Sequence, residues 1–146
     1  MEGFLFLASV IHPDLIQAYL ESNFYVHEVK PFVIRIGAFS AELEALHQMR
    51  QVSTSCFITP CNPESVQLSQ IENNLRLSKF RTEKLLQGLE LIHGFGQHPT
   101  NSWEAEESYL VLGITLAAAK EIGKKYEQNA IVWIGPDAIP ELILLR

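Results

Sequence analysis

The spacing of apolar residues changes along the chain, and each change marks an element. After His12-Pro13-Asp14, residues Leu15, Ile16, Tyr19 and Leu20 recur at helical spacing. Proline suits a first helical turn because its missing N–H would have no partner there. Asp14 complements the positive end of the helix dipole. Residues 24–29 and 32–36 turn to β-branched and aromatic types around Lys30-Pro31, which predicts two tightly joined strands. Gly37 closes the second strand, and Ser40 is the expected N-cap of a helix that turns Leu43 and Leu46 inward. A short apolar strand at 56–59 stops at Pro60 and the Asn62-Pro63 turn. Ser69-x-x-Glu72 has capping-box spacing and predicts the longest helix, over 69–88. Ile71, Leu75, Phe80, Leu85 and Leu86 would form its buried side, with Gly88 ending it.

Strands follow at 90–95 and 107–112, separated by a polar loop with Pro99, Asn101 and Trp103. Thr115 caps a further helix whose apolar stripe is Leu116, Ala119, Ile122 and Tyr126. Strands at 130–134 and 141–145 flank the Gly135-Pro136-Asp137 turn. Their weak alternation places at least one of them inside the sheet. The predicted order is α-β-β-α-β-α-β-β-α-β-β. Helices interspersed with hairpins point to an α/β fold of the α+β type, a mixed, mostly antiparallel sheet with packed helices. There is no repeat, linker or low-complexity run, so residues 1–146 are expected to form a single domain.

Composition narrows the function classes. The 146 residues are 47% hydrophobic and 19% charged, an ordinary globular balance. Seventeen acidic residues against 11 basic ones give a net charge of −6. That excludes a general nucleic-acid binder, which needs clustered Lys and Arg. The densest basic cluster, Lys120, Lys124 and Lys125, is interleaved with Glu121 and Glu127 and reads as a solvated helix face. The apolar stretch 1–11 has no basic flank and is too short to span a membrane, so it reads as a buried strand or ordered lead-in. A cytoplasmic protein with neither nucleic-acid nor membrane partners is expected. Cys56 and Cys61 are read as reduced thiols that bind no metal; on one strand their spacing would turn them to opposite faces. No cofactor is implied.

The chain carries no phosphate loop, dinucleotide turn, nucleophile elbow or His-Glu-x-x-His motif. His93 and His98 bracket a Gly-rich segment but have no further ligands at motif spacing, and read as ordinary histidines. Cys61 follows a strand and nears a helix start, where a thiolate is stabilised, yet no base is apparent and it reads as a turn residue. The informative stretch runs from Thr59 through Asn62-Pro63 and Ser65 to Glu72-Asn73. A strand end, a turn and a helix N-terminus meet there, which either satisfies its own backbone or receives an anion. Trp103 through Ser108 is a second polar cluster. Glu106, entering an apolar strand beside an aromatic, is either a solvated carboxylate or an acid or base of raised pKa. Gln128-Asn129 sits between a helix and a strand, where amides satisfy loose helix carbonyls or meet a ligand.

In order and spacing these features resemble a bacterial family catalogued as domain of unknown function 3293. The likeness runs from about residue 15 to the end. It rests on Ala18-Tyr19 and Tyr25, Ile36-Gly37 with Ser40 and Leu43, and Phe57-Ile58-Thr59 leading to Asn62-Pro63 and Ser65. It continues through Glu72-Asn73, Trp103, Glu106, Ser108, Leu110-Val111 with Gly113, and Gln128 with Ala130. The chain departs at Pro60-Cys61, where small or aromatic residues are expected. The resemblance implies no activity and no catalytic residue. It implies that Thr59, Asn62, Ser65, Glu72, Asn73, Glu106 and Gln128 belong to a recurring pattern. Together these observations favour a small binding or regulatory module with a polar pocket for a small polar ligand or a peptide. An enzyme using Glu106 or Glu72 as acid or base is the alternative, and a protein-interaction surface without a pocket is a third.

Overall fold

The computed structural model describes residues 9–146. Its elements follow the expected order: α1 (Pro13–Glu21), β1 (Asn23–Val26), β2 (Phe32–Ile34), α2 (Ala41–Arg50), β3 (Ser55–Ile58), α3 (Gln70–Phe80), β4 (Glu90–Gln97), β5 (Glu106–Leu112), α4 (Leu116–Lys125), β6 (Ala130–Ile134) and β7 (Pro140–Leu144). Two single 3-10 turns, Pro63–Ser65 and Lys84–Leu86, flank α3. The lead-in expected over 1–11 lies outside the described residues, apart from Ser9, Val10 and Ile11.

The caps explain where the helices start. Ser40, Ser69 and Thr115 each accept a backbone N–H of the first turn, from Leu43, Glu72 and Ala118. His12 does the same for Asp14. Among the described residues, seven strands join one sheet in the order β2-β1-β4-β5-β3-β6-β7. Every described pairing is antiparallel. Of the last two strands, β6 is interior and β7 is an edge.

Period-two alternation sorts the side chains onto two cores. Leu110 and Leu112 of β5, Phe57 of β3 and Phe24 of β1 pack with Leu43 and Leu46 of α2 on one face. Val111, Cys56 and Ile58 pack with Leu77 and Phe80 of α3 and Ile122 of α4 on the other. Helices thus cover both faces, and all four residues of β3 are buried.

Three expectations need correction. The helix predicted over 69–88 ends at Phe80, and a 3-10 turn follows at Lys84–Leu86. Phe80 and Leu86 are both buried. Six residues apart on one continuous helix they would point about 120° apart, so the break is what lets both reach the core. Its inward face is Asn73, Leu77 and Phe80, while Ile71 and Leu75 are 74% and 67% exposed. A buried asparagine at the first of these positions disguised the helix phase. The strand expected over 24–29 stops at Val26, and Val29 is 95% exposed. Finally, Cys56 and Cys61 do not face opposite ways. The chain leaves β3 at Ile58, strand alternation lapses, and both free thiols are buried in the core beneath α3 and α4. Among the described residues no helix is long and apolar enough to cross a membrane.

Candidate functional site

Beyond β3 the chain makes a tight, strained loop. Asn62, Glu64 and Ser65 all have positive φ, at 49°, 54° and 63°. Such backbone costs non-glycine residues about 1–3 kcal/mol each and persists only where its surroundings hold it. The holding contacts converge on Asn62. Its Oδ1 accepts from the Leu68 amide at 2.9 Å and from Asn73 Nδ2 at 2.8 Å. Its own amide donates to Asn73 Oδ1 at 3.1 Å. Arg76 Nε donates to the Pro60 carbonyl at 2.6 Å, and Glu64 donates its amide to the Glu127 carbonyl at 2.8 Å. Thr59 Oγ1 donates to the Glu107 carbonyl at 2.7 Å and accepts the Cys61 amide at 3.1 Å.

One group of Asn62 remains, Nδ2, and it donates to Glu106 Oε2 at 2.8 Å. Glu106 opens β5 on the same face as Ser108 and Leu110. Its partner across the ladder is Gly96 of β4. A side chain at Gly96 would begin 3.2 Å from the Phe24 ring, so this part of the sheet stays bare. The bare floor opens into a cleft of about 480 Å³, walled by Leu15 and Tyr19 of α1, Phe24, Asn62, Trp103 and Glu106. A smaller cavity of about 70 Å³ lies behind it, lined partly by Thr59, Ser108 and Gln128. The two share Tyr19, Phe24, Ser65, Gly96 and Glu106 as walls. Ser65 Oγ hydrogen-bonds Tyr19 Oη at 2.7 Å, and Asn129 Nδ2 donates to both at 3.2 Å, pinning α1 across the site.

Electrostatics single out Glu106. Burial of its carboxyl raises its pKa to about 7, against the lowering effect of the Asn62 hydrogen bond. Among the described residues Oε1 has no hydrogen-bond partner. Near neutral pH the group is therefore divided between acid and carboxylate. Two other nearby groups, Cys61 and His98, are less available. Burial pushes the Cys61 thiol up to about 11, so it is no nucleophile. His98 Nε2 hydrogen-bonds Glu21 Oε1 at 2.8 Å, and its Nδ1 accepts the amides of Thr100 and Asn101 at 3.2 and 3.1 Å. Among the described residues no group of three or more His, Cys, Asp or Glu side chains could hold a metal ion.

Of the residues singled out from the sequence, Asn62, Ser65 and Glu106 line the cleft, while Thr59 and Gln128 reach the inner cavity. Asn73 stands behind them and holds Asn62. Gln128 Nε2 donates to the Cys61 and Tyr126 carbonyls at 2.9 and 3.2 Å, satisfying the backbone as amides at such junctions do. Glu72 lines neither space. Its Oε1 accepts from the amide and hydroxyl of Ser69 at 3.3 and 2.9 Å, completing the capping box. The helix end considered as an anion site is therefore closed by its own carboxylate. Tyr19, Phe24 and Gly96 were missed. Two glycines spaced within a strand, Gly94 and Gly96, were the available sign of a bare patch of sheet.

A family model described as a protein of unknown function (DUF3293) matches residues 58–131. That span contains all seven of the residues singled out from the sequence. No curated protein and no solved structure matches the chain.

Proposed function

The chain belongs to the DUF3293 family, whose description carries no activity, so we propose from the site itself that the protein is a binding module whose cleft takes a small polar ligand, with Glu106 as its anchor. The observation that carries this reading is the half-buried Glu106 carboxyl in the cleft wall, with Oε2 held by Asn62 and Oε1 open to the cleft and without a partner among the described residues. Burying a carboxylate without a counter-charge is unfavourable. A fold that builds three left-handed residues and a buried Asn62–Asn73 pair around that carboxyl is spending stability on its position. The volume of about 480 Å³ suits a small molecule.

A thermal-shift screen of a metabolite library against wild type and Glu106→Gln tests the reading. Ligands should raise the melting temperature of wild type by several degrees and lose most of that effect in the variant. Hits that stabilise both proteins equally, or no hits at all, would refute it.

The enzyme reading keeps one specific support. A carboxyl titrating at about 7 can both give and take a proton near neutral pH. It involves Glu106 alone, because Glu72 is committed to capping α3. A ligand that still binds Glu106→Gln but is no longer converted would favour it over simple binding.

A further inference from the structure

Resting on the binding reading above, we propose that the ligand is a small organic amine, bound as its ammonium ion against Glu106 with its apolar body among Tyr19, Phe24 and Trp103. The cleft's charge points that way. Glu64, Glu104 and Glu106 line it, and among the described residues no Lys or Arg does. The sole basic lining residue among those described, His98, is hydrogen-bonded through both ring nitrogens. Arg146 lies just outside and approaches Glu64 at 3.6 Å, which leaves Glu104 and Glu106 without a cation among the described residues.

An anionic ligand would meet these carboxylates with nothing to balance it. A neutral ligand would cover the half-buried Glu106 carboxylate and leave it without a counter-charge. An ammonium ion supplies both the missing charge and N–H donors for Oε1, the free acceptor. Aromatic rings fit the same guest, since their faces attract cations. Leu15, Tyr19 and Phe24 give an organic amine a surface that a bare metal ion could not use.

The pairing makes binding pH-dependent with a defined sign. The ammonium prefers ionised Glu106, which is about a tenth populated at pH 6 and about nine-tenths at pH 8 for a pKa of about 7. Alkylammonium groups stay charged across that range. Tyr19 from α1, Glu64 from the turn, and His98 and Glu104 from the loop before β5 face the same space.

The test is calorimetric titration of the full chain with 2-phenylethylamine, 2-phenylethanol and 3-phenylpropionate, at pH 6 and pH 8. The amine should bind more tightly than the alcohol, and the carboxylate should not bind. Amine affinity should rise about tenfold from pH 6 to pH 8. Glu106→Gln should abolish that rise. Should this variant not fold, Trp103→Ala at the exposed rim should weaken the amine severalfold and keep the pH dependence. Preference for the alcohol or the carboxylate, amine affinity flat with pH, or no amine binding would each overturn the amine assignment. The binding reading stands or falls separately. It survives if neutral or anionic library compounds stabilise wild type through Glu106, and it fails if no compound of any charge does.

Discussion

Glu106 and Asn62 carry opposite demands on stability. Glu106 titrates near 4.5 when free in the unfolded chain and at about 7 in the fold. The folded state therefore binds more protons between these values. Stability attributable to this group is full at low pH and is lost as pH rises through about 7. The shift corresponds to an upper limit of ~3 kcal/mol at alkaline pH. Glu106→Gln should melt several degrees above wild type at pH 8 and no higher at pH 5, as scanning calorimetry would record. Asn62 acts the other way. Asn62→Ala loses bonds to Leu68, Asn73 and Glu106 and places alanine at a φ of 49°. Asn73→Ala loses two bonds and leaves the Asn62 amide unpaired. Each should lower stability by ~1–3 kcal/mol in urea titrations, Asn62→Ala at the larger end. The sequence pattern picked out polar residues that the structure brings together at this cleft, because turn formers and a strand-entry carboxylate are local features. It ranked them poorly, because Asn62 is a hub only through partners such as Glu106, far away in sequence.

At the scale of elements, α3 shows which features can be read locally. Its start was plain from Ser69 and Glu72, because a capping box is completed within one turn. Its end and its phase were not. Asn73 faces inward to hold the Asn62 loop, and Ile71 and Leu75 face outward, so tertiary partners overrode the apolar pattern. Ser69→Ala should cost about 1 kcal/mol, seen as a lower urea midpoint. Glu72→Ala should lower stability by a smaller amount and leave ligand affinity unchanged. A loss of affinity there would show that Glu72 belongs to the site after all. The strands were readable for a different reason. Hairpin punctuation by Pro and Gly is local, whereas the ladder order β5-β3-β6 joins segments that no short pattern connects.

At the scale of the molecule, one sheet carries two cores, so the cores should unfold together. His47 ties α2 to that sheet. Its Nε2 hydrogen-bonds Ser55 Oγ of β3 at 2.8 Å, and burial lowers its pKa. As pH falls below about 6.5 the unfolded chain takes up this proton first, and stability drops. Glu106 offsets that drop in wild type because it gains stability over the same range. In Glu106→Gln the offset is gone, so its urea midpoint should fall more steeply between pH 7 and pH 5.5 than that of wild type. Equal slopes would show that Glu106 contributes no such offset.

The position of β3 also governs how the chain comes off the ribosome. This strand is made before both of its neighbours, β5 and β6, and it is buried on both faces once paired. At ordinary synthesis rates Ser55–Ile58 waits on the order of seconds with both hydrogen-bonding edges open. Long-range pairing of this kind is also intrinsically slow. The nascent chain therefore passes through an interval in which a strand destined for full burial is a ready template for another copy, and it relies on β6 arriving to close that interval.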